Sequence, residues 1–148
     1  MTPSPLARVS ADLVEYVIVA VPGVEALGRV AASLTELVES RFIRILDLVV
    51  VARDEAGDVV VHELADVPSM DGLARVVGPT PSLLSIHDLE LVSTAVRAGT
   101  LGVVVVTEDR WAEPLAAAAR DVGGRIVGGE RIPHVRAELA LAPPDVED

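Results

Sequence analysis

Apolar and polar positions alternate along this chain in two rhythms, one of period two and one of period near 3.6. Residues 14–21, VEYVIVAV, read as a first strand, ended by Pro22-Gly23. Residues 43–52, IRILDLVVVA, are apolar on both faces of an extended chain, broken only by Arg44 and Asp47. Such a strand belongs inside a sheet covered on two sides, or inside an oligomer. Between these strands, residues 25–40 carry Leu27, Val30, Ala31, Leu34, Leu37 and Val38 at helical spacing. Asp54-Glu55-Ala56-Gly57 signals a tight turn, after which 58–64, DVVVHEL, returns as a third strand.

The middle of the chain changes character. Residues 69–77 predict a short helix, stopped by Gly78-Pro79-Thr80-Pro81. Ser85 and Asp88 have capping-box spacing and open a helix running to Arg97, closed by Gly99. Residues 69–99 thus form a helical insert. Strand periodicity resumes at 101–107, LGVVVVT, followed by an Ala-rich helix over 110–122 and a stop at Gly123-Gly124. Residues 125–130, RIVGGE, predict a shorter strand. Pro133 suits the first position of a last helix reaching Leu141. Residues 1–12 and 143–148 read as a disordered lead-in and tail around one domain, 13–142.

Two strand–helix–strand units recur, 14–52 and 101–130. Interleaved, they give an α+β, ferredoxin-like sandwich, with 58–64 as an added hairpin strand. A doubly wound parallel sheet is the alternative. The turn at 54–57 forces an antiparallel pair and favours the sandwich.

Composition narrows the function classes. The chain has 148 residues, 51% of them hydrophobic, with one Trp, one Tyr and one Phe, so the core is aliphatic. Cys is absent, which removes disulfides, thiolate metal sites and cysteine nucleophiles. Every basic side chain is Arg. A net charge of −11 argues against nucleic acid and against an anionic membrane surface. No apolar run approaches the ~18 residues of a spanning helix. The N-terminus lacks the basic-then-apolar order of a signal peptide, so a cytoplasmic protein is expected.

Candidate chemistry is sparse. The glycines form neither GxGxxG nor a P-loop, and Gly128-Gly129 is most simply a bulge. His62, His87 and His134 are not spaced as a metal site, and no GxSxG occurs. No metal or cofactor is expected. Glu15, Asp47, Glu108 and Glu130 lie in or at the ends of expected strands, as do Arg44, Arg125 and Arg131. Ion pairing is the first reading of Glu15, Arg44, Asp47 and Glu130, and proton transfer the second. Trp111 lies in a helix first turn near the end of 101–107. With Glu108 and Arg131 it could line a ligand pocket between the two halves.

The order of Val14-Glu15-Tyr16 before VIVAVPG, Ile43-Arg44-Ile45-Leu46-Asp47-Leu48, Trp111-Ala112, Gly123-Gly124 and Glu130-Arg131-Ile132-Pro133 resembles a bacterial domain-of-unknown-function family, the DUF 6325 type. The resemblance spans about 14–141. That family is similar to the broader DUF 1269 group, many of whose members carry a glycine-zipper segment and are thought to be membrane-associated. The charged, capped stretch 69–97 departs from that segment, so a membrane role is not carried over. The resemblance implies no activity.

Three functions remain. The first is a non-enzymatic, self-associating protein with a stress or regulatory role, forming a homo-oligomer through an edge strand or helix face. The second is a small-molecule-binding module with a pocket near Glu108, Trp111 and Arg131. The third is an acid–base enzyme using Asp47 or Glu15.

Overall fold

The structure, a computed structural model, describes residues 9–77 and 83–144. It is a mixed α+β domain built on one open antiparallel sheet. The strands are β1 (Val14–Val21), β2 (Arg44–Arg53), β3 (Val59–Glu63) and β4 (Thr100–Glu108), in the order β1-β4-β2-β3. Both β1 and β2 pair antiparallel with β4. They therefore run parallel to each other with β4 between them. Helix α1 (Leu27–Glu39) makes the crossover that joins them.

The strand 43–52 is internal, as its two apolar faces require. One face carries Ile45, Leu48, Val50, Val103 and Val105, packed under α1 and under a 3₁₀ segment, Pro68–Arg75, that contributes Met70 and Leu73. The other face carries Val49, Val51, Val104 and Val106. It is covered by α2 (Ile86–Ala95) through Val92 and Val96. Leu46 is an extra residue: Ile45 faces Thr107 and Asp47 faces Val106, so β2 is bulged there. The bulge sends Leu46 into the α2 layer, where it is 2% exposed.

Local chemistry explains the other joints. The β2–β3 turn closes with Asp54 N–H donating to Asp58 O and Gly57 at φ +93°. Ser85 and Asp88 form a reciprocal capping box at the start of α2. Helix α1 ends in a Schellman motif: Phe42 N–H donates to Leu37 O, Arg41 N–H to Val38 O, and Arg41 has φ +62°. After β4 come a 3₁₀ turn, Arg110–Ala112, and α3 (Glu113–Asp121); α4 (His134–Leu141) follows later. Pro133 is the residue before α4 and not its first.

One expected element is missing. Residues 125–130 run without any ladder, and Val127 is 90% exposed. The described sheet therefore has four strands, and the second strand–helix–strand unit is not closed. The geometry supplies the reason. Helix α3 spans nine residues, or about 14 Å, whereas β4 is about 30 Å long. The helix recovers half of the strand's length before Gly123 (φ +79°) turns the chain away. Gly128 and Gly129 then weaken what strand preference Ile126 and Val127 have. Of the expected lead-in, Ala11–Leu13 form a 3₁₀ turn. Residues 1–8, the Gly78–Pro81 stop and most of the tail lie outside the described residues. No helix among those described is long and apolar enough to cross a membrane.

Candidate functional site

Strand alternation at the end of β4 sorts three adjacent buried polar residues onto two faces. Thr107, Glu108 and Asp109 are 4%, 2% and 9% exposed. Glu108 points to the α2 side of the sheet. There it meets Arg44 (Nε to Oε1, 3.7 Å) and Arg110 (Nη1 to Oε1, 3.3 Å), and accepts the Ser10 backbone N–H. Among the described residues, two guanidinium groups and one backbone N–H surround this carboxylate, so it is a cross-brace between the ends of β2, β4 and the lead-in.

Thr107 and Asp109 turn to the α1 side. The Thr107 hydroxyl donates to Asp109 Oδ1 at 2.9 Å. The Glu15 carboxyl lies close to Asp109 at this end of β1, and Arg131 lies beside it. Partial burial of the Glu15 carboxyl and then the Asp109 charge raise the Glu15 pKa above its ordinary 4.5, against the opposing pull of Arg131.

This polar group closes one end of a cleft of about 440 Å³ between α1 and the sheet. Its floor is Val17, Val19 and Val105; its far wall is Val30, Leu34 and Leu37 of α1. Trp111 and Phe42 stand at the mouth, 62% and 52% exposed, joined by the Trp111 N–H to Phe42 O bond at 3.1 Å. The Schellman turn at Arg41 aims Phe42 there. A left-handed arginine is strained by roughly 1–3 kcal/mol. Here that conformation accompanies the placing of an aromatic at the rim.

Residues 10–142 match a family of unknown function, DUF6325. The chain belongs to the DUF6325 family. The match covers the whole sheet, the cleft and α4. No curated protein and no solved structure matches the chain.

Of the residues singled out in this DUF6325 chain by sequence, Trp111 and Arg131 converge on the cleft, and Glu108 does not. Glu15 lies in the cleft and Arg44 against Glu108. Asp47 accepts backbone N–H groups of Leu48 (2.8 Å) and Leu83 (3.4 Å), tying the bulged strand to the segment before α2. Glu130 lines a second gap, of about 630 Å³, between 125–130 and the start of β1, bridged at its edge by Arg125 on Asp12 at 2.6 Å. Sequence reasoning missed Asp109, Thr107 and Phe42. Among the described residues, no group of three or more His, Asp and Glu is placed to hold a metal ion.

The carboxyl pair makes stability depend on pH. A folded-state pKa raised above the unfolded value gives stability that is full below 4.5 and lost as pH rises through the raised value. Glu15→Gln keeps a donor for Asp109 and removes that titration. Urea midpoints of the wild-type chain should therefore fall, relative to Glu15→Gln, as pH climbs from 4.5 towards neutrality. Parallel pH profiles for the two proteins would refute a raised Glu15 pKa.

Proposed function

We propose that this chain is a small-molecule-binding module whose ligand lies in the cleft between α1 and the β1–β4 face. The observation that carries this reading is the convergence of an aliphatic trough, an aromatic mouth and a hydrogen-bonding end in one concave site. The trough suits an aliphatic body. Glu15, Asp109, Thr107 and Arg131 suit a head group that both donates and accepts. Absence of stacked aromatic pairs inside the trough argues against flavins and bases as occupants.

Trp111 is the only indole, so its fluorescence reports the mouth directly. Octyl to dodecyl amines, carboxylates and alcohols serve as probes. At least one series should shift the emission and raise Tm, in proportion to chain length. At a hundred times Kd, stabilisation reaches about 2.7 kcal/mol. Ser33→Phe, at an exposed position lining the cleft, should fill the trough and abolish both responses while the fold persists. No shift with any probe would refute the reading.

The adjacent Glu15 and Asp109 carboxyls in the cleft, with the Glu15 pKa raised, favour a second reading, proton transfer to a bound substrate. Mass spectrometry separates the two. A binding module returns its ligand unchanged, whereas an acid–base enzyme alters it and loses that ability in Glu15→Gln.

A further inference from the structure

Strand β1 ends the sheet on one side, and its outer edge makes no backbone hydrogen bond with any other described residue. Among the described residues nothing gives the edge the usual protection. Residues 16–20, YVIVA, contain no charge, no proline and no glycine, and no described helix or strand covers them. We propose that this edge pairs with β1 of a second copy of the chain, joining two four-stranded sheets into one of eight strands.

The occupant is argued from the strand's own shape. Facing residues in an antiparallel pair point to the same side of the sheet, which restricts where a two-fold axis can fall. With the axis at Ile18, Tyr16 of one copy faces Ala20 of the other, and Val17 faces Val19. Tyr16 and Ala20 are both exposed in the single chain. A bulky ring then lies over the smallest side chain of the strand at both ends. Shifting the axis to Val17 sets Tyr16 against Ile18, which crowds two large side chains and leaves Ala20 without the ring. In the Ile18 register Glu15 faces Val21 at the end of the pairing, and Pro22, with no N–H, faces Val14 and ends the ladder. No like charges meet.

The opposite edge is a poorer match. Strand β3 has five residues, and Val59, Val60 and Val61 are exposed on both of its faces. A copy paired there would extend a ribbon with no layer behind it. At β1 the sheet is backed by α1, and the pairing sets Val17 and Val19 of the second copy beside the same residues of the first. The apolar floor of each cleft then runs on into its neighbour. The self-association itself does not depend on the cleft's holding a ligand.

A charge of −11 on each chain opposes pairing, so salt should tighten it. Sedimentation equilibrium from micromolar to millimolar chain should show a monomer–dimer equilibrium that shifts to dimer at high salt. Tyr16→Lys and Ala20→Lys, both at exposed positions, should each weaken it by about tenfold or more, with circular dichroism and Tm unchanged. Val60→Lys on β3 should leave it intact. The chain has no cysteine, so Ile18→Cys provides one thiol at the axis and should oxidise to a covalent dimer. A chain that stays monomeric at millimolar concentration in high salt overturns the proposal. So does a dimer that survives both lysines or is broken by Val60→Lys.

Discussion

Removing both arginines that hold Glu108, as Arg44→Met with Arg110→Met, is expected to destabilise the fold by about 3–5 kcal/mol, whereas Glu108→Gln should lose well under half of that. The asymmetry follows from where the charges sit. The Glu108 side chain is 3% exposed, but those of Arg44 and Arg110 are 26% and 38% exposed. Arginines stripped of their carboxylate can turn to water. The carboxylate stripped of its arginines cannot, and among the described residues it keeps only the Ser10 N–H as a donor. Equilibrium urea unfolding of the three proteins checks this. Equal losses in Glu108→Gln and in the double arginine variant would mean that the brace is worth no more than ordinary surface pairs.

The second large effect centres on a glycine that the sequence makes look incidental. Gly102 sits in β4, opposite Ala20 on one side and Val51 on the other. A methyl group built there would lie 2.7 Å from Val96 Cγ2, and Val96 is 1% exposed. The glycine is what lets the C-terminal end of α2 press against the sheet. Alanine generally improves a strand over glycine by roughly 0.5–1 kcal/mol. Overpacking a tight core costs about 1–3 kcal/mol. The second term wins, so Gly102→Ala should lower stability by about 1–2 kcal/mol. Val96→Ala should relieve it: the double variant should be more stable than the sum of the singles by at least 0.5 kcal/mol or so. Strict additivity would show that α2 moves aside freely.

Much of the architecture was legible because burial imposes a period. The two-faced strand at 43–52 had to be internal, and it is. The Ser85–Asp88 spacing fixed a helix start to the residue. The turn at 54–57 fixed an antiparallel pair. What failed was long-range. Nothing local in RIVGGE says that α3 is too short to bring it back along β4. The site was half legible for the same reason. Trp111 and Arg131 stood out as single residues of unusual type and position. Glu108 was grouped with them by nearness in sequence, yet alternation along β4 sends it to the other face from Thr107 and Asp109. Counting by twos from Val103 and Val105, which pack under α1, reaches Thr107 and then Asp109; counting from Val104 and Val106 reaches Glu108. That signal was present. The Schellman turn that presents Phe42 left none, because its left-handed residue is an arginine where a glycine would have advertised it.

The position of β4 in the sheet has a consequence for how the protein is made. A ribosome releases β1, α1, β2 and β3 before Thr100 appears. Until then the crossover unit has its two strands but nothing between them, and Val14 waits for Glu108. Helix α1 and the β2–β3 hairpin can form early because their contacts are local. The centre of the sheet cannot. From Arg53 until Thr100–Glu108 emerges the nascent chain carries two unfilled inner edges, and a single late strand closes them together.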